Sequence, residues 1–365
     1  MNGRTMIALG LALALSPLFS FAEEILSAAE KAEVIEQIQA SIEENYVFAD
    51  RADALNQSLG ERLEAGQFDA AHSGETFAEA LTESLFELTN DKHFLVTYNP
   101  ELIENRQARR EQASQAEAGS EPEAAEPSID WNLWYAEKEN FGFEKVEILP
   151  GNIGYVKLTF FQPLAWMQAT LDSTLDFVSH TDALIIDLTR NGGGYAPSDS
   201  YFGSFFLEPE PMLWMSSYDR RSDERSEEFT VKDVGAERYL GKPVYILVGP
   251  ETFSLGEKFA YAMKHVGRAR IVGQVTAGAA HAIDVVEVDD RFLFQVPVLR
   301  NIHPETGKDW EGVGVVPHVV VELDQALRAA HIEALDGLIE DAADKTRYHS
   351  RYQARLQDIR AQLAD

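Results

Sequence analysis

Ser254 stands where an apolar run, Val244–Val248, is broken by Gly249-Pro250 and gives way to a helical pattern from Leu255 to Val266. A serine at a strand-to-helix turn exposes its hydroxyl beside a helix N-terminus, with free backbone N–H groups facing whatever it attacks. Those are the parts of an acyl-transfer site. Ser is also a favoured helix N-cap, so the residue alone does not decide between cap and nucleophile. A second feature is Asp187-Leu188-Thr189-Arg190-Asn191-Gly192-Gly193-Gly194, which continues an apolar strand run. Consecutive glycines after a strand permit positive φ and close backbone approach, and their N–H groups can hold an oxyanion; the alternative is a flexible turn. A phosphate loop is disfavoured, because no Lys-Ser/Thr follows and the glycine spacing does not suit a dinucleotide.

Of nine histidines, two occupy unusual places. His93 opens an apolar strand pattern after Asn90-Asp91-Lys92, and His281 ends a small-residue loop that follows Ile271-Val272. Either can act as a general base, since imidazole titrates near working pH; either can equally be structural. Glu311 is the acid inside the glycine-spaced turn Trp310–Pro317, where it can orient an imidazole, help hold substrate or simply be solvated.

The elements that must position these residues follow from pattern. Residues 24–90 carry apolar side chains at helical spacing: Val34, Ile35, Ile38 and Ile42, then Phe77, Leu81 and Leu85. Residues 107–128 are Ala, Glu, Gln, Ser and Pro without a large apolar side chain, and so read as a linker, with a charged helix possible at its start. From about residue 144, strand patterns at 146–149, 153–158, 184–188, 244–248, 271–272, 292–298 and 319–321 alternate with helical ones at 164–178, 198–206 and 255–266. That alternation predicts an α/β layer with a largely parallel central sheet. The tail, 323–363, reads as helical with a charged end.

Composition narrows the function. The 365 residues contain no cysteine, which excludes disulfides, thiolate metal sites and a cysteine nucleophile. A net charge of −30 disfavours nucleic acid as a partner, and anionic lipid with it. Residues 1–22 read as a secretory signal: Arg4 forms the positive end, Met6–Leu15 the apolar run, and Ser20-Phe21-Ala22 the cleavage site. The apolar run is short for a membrane span, so the expectation is an exported, periplasmic or extracellular protein without stable membrane insertion after cleavage.

In order, DLTRNGGG, TFSLGEKFAYAMKHVGRARIVGQVTAGAAH and DWEGVGVVPHVVVE resemble the tail-specific (carboxy-terminal processing) serine peptidase family, in the branch of interphotoreceptor retinoid-binding protein and the tricorn core. The resemblance covers residues 140–325 well and residues 30–100 more loosely. It implies a crotonase/ClpP-like α/β core behind a small helical N-terminal domain. The corresponding division is a signal at 1–22, a helical domain at 23–106, an acidic linker at 107–128, a peptidase core at 129–325 and a helical tail at 326–365. It implies Ser254 as nucleophile. The processing proteases use a lysine base in a loop where this chain has Ala279, so their Ser-Lys dyad is absent. The tricorn-like branch instead implies His93 as base and Glu311 as supporting carboxylate, with the N–H groups of Gly193 and Leu255 as oxyanion hole. Lys92 replaces that branch's second serine, and His281, two positions past the missing lysine, is the fallback base. No room exists for the family's PDZ module between Tyr98 and Glu144. The implied activity is peptide-bond hydrolysis on a protein or peptide substrate, with no metal or organic cofactor, and a homo-oligomer is compatible with it. The competing expectation is a catalytically inactive member that binds an apolar ligand or peptide.

Overall fold

The computed structural model describes residues 25–117, 131–342 and 347–364; the signal reading and part of the linker reading fall outside these residues. The chain begins with three helices, α1 (Ala28–Asn45), α2 (Ala49–Glu64) and α3 (Gly74–Thr89), followed by strand β1 (Leu95–Tyr98). Ser27 and Ser73 open α1 and α3 as N-caps, their hydroxyls accepting from the third helical amide. At its other end α3 stops on Asn90, which adopts a left-handed φ of 56°. That turn throws Asp91 and His93 off the helix axis toward β1.

Helix α4 (Pro100–Glu117) runs over the first half of the predicted linker. After α5 (Trp131–Lys138), the alternating region unfolds in chain order as β2 (Phe143–Leu149), β3 (Ile153–Leu158), α6 (Leu164–Val178), β4 (Ala183–Asp187) and α7 (Ser198–Ser204). It continues with β5 (Leu213–Asp219), β6 (Glu224–Phe229), β7 (Val244–Val248), α8 (Leu255–His265) and β8 (Arg270–Gly273). The chain closes with β9 (His281–Glu287), β10 (Phe292–Ile302), β11 (Val319–Val320), α9 (Leu323–Ala342) and α10 (Arg347–Ala364).

Six strands form the central sheet in the order β11-β8-β7-β4-β3-β2, parallel throughout except for the antiparallel edge strand β2. All residues of β4 and β7 are buried, as expected of parallel strands covered on both faces. One face packs beneath α6, α7 and α8 through Leu171, Phe202 and Phe259; the other packs Ile185 and Leu247 against Ala330 and Leu335 of α9. This is the α/β core with a helical N-terminal region that the sequence predicts.

A second, antiparallel sheet joins β1, β10, β5 and β6, with β9 along the other edge of β10. Strands β5 and β6 are absent from the sequence pattern. Among the described residues no helix is long and apolar enough to cross a membrane.

Candidate active site

Strands β4 and β7 are neighbours in register, Asp187 opposite Leu247, so the loops leaving their carboxyl ends meet. Ligands of open α/β sheets bind at this edge. The loop after β4 is tied to the turn after β7: the Thr252 hydroxyl donates to Leu188 O (2.7 Å) and the Phe253 N–H to Asn191 O (2.9 Å). Ser254 then adopts φ 48°, ψ −115° before α8 begins. An ordinary N-cap lies in the β region. A non-glycine residue at positive φ stores about 1–3 kcal/mol of strain, the kind of conformation that clusters at functional sites.

Glu257, one turn into α8, is fully buried. Its carboxylate accepts from the N–H groups of Ser254 (3.0 Å), Gly278 (2.6 Å) and Ala279 (2.8 Å), and from the Thr276 hydroxyl (2.5 Å). Burial pushes its pKa up to about 7, against the pull of those donors. One side chain therefore locks the serine turn to the loop that delivers His281. Glu257 serves in the sequence only to mark the helix; its positioning role needed the fold.

Gly193 has φ 100°, and a Cβ there would lie 2.9 Å from Ser254 Cβ and 3.3 Å from Leu255 N. Only glycine allows that approach. The Gly193 amide, however, donates to Asn191 Oδ1 (3.0 Å). Among the described residues the amides of Gly194 and Leu255 have no hydrogen-bond partner, and both residues line the cavity beside Ser254.

Asp91 is the centre that the sequence did not single out. Its Oδ1 accepts the His93 N–H (2.9 Å) and lies 3.3 Å from His93 Nδ1; its Oδ2 meets His281 Nδ1 at 2.7 Å. Burial alone would raise this carboxyl, but the hydrogen bond from His281 and the nearness of both imidazoles hold it below the usual carboxylate range. Burial works against the His281 imidazolium, yet the bond to Asp91 and the nearby Glu311 charge outweigh it and raise the pKa.

Glu311 lies 3.4 Å from His281 Nδ1 and accepts the Ala280 N–H (2.6 Å). Burial, with the Asp91 charge, pushes it up to about 7. The structure thus sets Glu311 beside His281. Nε2 of both His93 and His281 is buried without a protein partner. The His93 ring packs against Phe253 (centroids 5.0 Å apart), while His281 lines the Ser254 cavity itself. Lys92, in the place of the branch's second serine, donates to Ala277 O (2.8 Å). Asp91, His281 and Glu311 offer three ligand atoms within 4.8 Å of one another, but the 2.7 Å bond already occupies His281 Nδ1. Hydrogen bonding and charge pairing among these side chains account for that grouping.

The cavity beside Ser254 has a volume of about 310 Å³. A larger groove of about 610 Å³ runs between α3 and β1, and its lining includes neither Ser254 nor either imidazole.

Residues 152–321 match the model of peptidase family S41, and residues 18–131 match that of the N-terminal domain of peptidase S41 in eukaryotic IRBP. The chain is similar to carboxyl-terminal-processing peptidase 2, chloroplastic, of Arabidopsis thaliana: 28% identical over 178 residues, 46% of this chain and 33% of that one. It therefore spans about a third of the length of that curated relative. In fold it resembles a lipoprotein from Streptococcus agalactiae (TM-score 0.54, 14% identity, covering 90% of this chain and 100% of that one). It also resembles mature CPAF (TM-score 0.58, 11% identity, covering 87% and 99%).

Proposed function

This chain belongs to peptidase family S41, a family of C-terminal processing serine peptidases, and we propose that it hydrolyses peptide bonds through an acyl-enzyme on Ser254. The observation that carries the reading is one cavity shared by a strained serine at a strand-to-helix turn and an imidazole held on a buried carboxylate at 2.7 Å. In this mechanism Ser254 Oγ bonds to the scissile carbonyl carbon while its proton passes to Nε2 of His281. Asp91 fixes the Nδ1–H tautomer and stabilises the imidazolium, with Glu311 beside it. The amide of Leu255 and that of Gly194, or of Gly193 once released from Asn191, face the developing oxyanion. His281 then protonates the leaving amine as the C–N bond breaks, and water repeats the cycle on the ester. His281 takes the base role ahead of His93 because its bond to Asp91 is the shorter and it lines the cavity.

His93 keeps a specific claim: its ring abuts Phe253, next to the nucleophile, and it shares the same carboxylate. Single His281→Ala and His93→Ala variants decide between them by which one loses hydrolysis by orders of magnitude with the fold intact. Ser254→Ala is expected to abolish both hydrolysis and fluorophosphonate labelling; unchanged turnover removes the nucleophile assignment. We also propose that the first 22 residues direct export, which the N-terminal sequence of the mature protein tests. The groove between α3 and β1, floored by Ala78, Phe86, Phe94 and Leu95, favours one second reading, an inactive member that holds an apolar ligand. Co-purified lipid in a protein that resists labelling is the result that would select it.

A further inference from the structure

The cavity beside Ser254 has a second, unexplained set of charges. Lys258 lies one turn along α8 from Ser254 and its side chain is 4% exposed. Its Nζ sits 3.2 Å from Asp199, which is wholly buried and also accepts the Trp214 indole N–H (2.7 Å). The same ammonium bonds Glu228 Oε2, on β6. Burial works against the ammonium, but the two carboxylates outweigh it and raise its pKa, so the lysine stays charged and is no base. The knot holds two carboxylates for one cation. Glu228 Oε1 is left buried with no hydrogen-bond partner. Around it the lining mixes Ser217 from β5, Ser226 from β6 and Asn301 from β10 with the apolar Leu255 and Leu299; Glu227 adds a further carboxylate, and no arginine enters.

Three kinds of substrate side chain can be weighed against this wall. An apolar one would bring no donor and leave Glu228 Oε1, already buried, unsatisfied. An anionic group, including a free C-terminal carboxylate, would meet Glu227 and Glu228 with an ammonium already engaged by two partners. A long cationic side chain supplies the missing donor and the missing charge together. We infer that this cavity is the specificity pocket for a lysine or arginine side chain on the acyl side of the scissile bond, with Glu228 as its acceptor. The inference rests on the peptidase reading above and adds the substrate class.

The test uses the full chain and a series of peptidyl-aminomethylcoumarins identical except for Lys, Arg, Leu or Glu before the fluorophore. The wild type is expected to favour Lys and Arg over Leu by about 10²-fold or more in kcat/KM, since a site with an unserved acceptor rejects a side chain that brings no donor. Glu228→Gln should lower the lysyl value by about ten- to a hundredfold, mostly through KM, and leave the leucyl value within about threefold. Glu228→Asp should retain the basic preference. Equal losses on every substrate, or a wild type that prefers Leu, overturn the inference. Fluorophosphonate labelling of Ser254, run in parallel, separates the two levels. A labelled enzyme without basic preference refutes the pocket alone, whereas an unlabelled, inert protein refutes the peptidase reading and the pocket with it.

Discussion

Replacing Glu257 tests whether the serine turn and the histidine loop are held as one unit. Its carboxylate serves four buried donors: the N–H groups of Ser254, Gly278 and Ala279, and the Thr276 hydroxyl. Glu257→Ala orphans all four. At about 1–3 kcal/mol for each unsatisfied buried group, the loss is about 4–12 kcal/mol. That rivals the whole folding free energy of a typical domain, about 5–15 kcal/mol, so the alanine protein is expected not to accumulate in folded form. Glu257→Gln is the informative change. It keeps the volume but offers one acceptor oxygen and turns an NH₂ toward the remaining donors, so about half the set goes unserved. The expected cost is about 2–6 kcal/mol, read as a lower urea midpoint at constant slope. The rate of fluorophosphonate labelling at Ser254 should fall at least about tenfold, since a displacement of about 1 Å costs catalysis about that much or more. A Gln variant within about 0.5 kcal/mol of wild type and labelled at the wild-type rate would refute the reasoning.

Three further outcomes are expected. Asp91→Asn should lower kcat/KM by about 10²–10⁴-fold and move the acidic limb of its pH profile downward, because the carboxylate that raises His281 is gone; a fixed limb contradicts the assignment. Gly193→Ala should cost about 10²-fold in kcat/KM, since its Cβ would stand 2.9 Å from Ser254 Cβ at φ 100°; near-wild-type kinetics would show that the approach is not needed. Folding stability should decline as pH rises from about 4.5 through about 7, because burial raises Glu257 and Glu311 from 4.5 to about 7 and the folded state then holds protons that the unfolded chain releases. Asp91, held low, acts in the opposite sense, its contribution being lost only as pH falls below 3.8. Thermal midpoints across that range test this: Glu311→Gln should flatten the decline, and an unaltered slope speaks against it.

The central sheet was legible because its strands are buried on both faces and read as unbroken apolar runs. Val244–Val248 and Ile153–Leu158 fall where the pattern puts them, as does helix Leu164–Val178. The outer pair of the second sheet, β5 and β6, was not. Along Glu224–Phe229 hardly a side chain is buried, so no alternation marks the strand, and pairing with β5 creates it. The site divides likewise. Ser254, the glycine run and the Asp-Lys-His motif carry local signals in turn chemistry. That Asp91 lies between His93 and His281 depends on contacts spanning 190 residues, which no spacing rule reaches. Asp91 stood in view inside its motif, and a carboxylate two residues before a candidate base was the cue to promote it.

Strand β10 belongs to two bodies at once. Its first residues, Phe292, Phe294, Val296 and Val298, are buried in the apolar mass beneath α1 to α3, while its end, at Leu299 and Asn301, forms part of the wall facing Ser254. Loosening the N-terminal helices would therefore pull on the cleft beside Ser254 through a single stretch of backbone, as a lever acts across its fulcrum. Damage to that distant bundle should surface first as altered substrate choice, before any global melting.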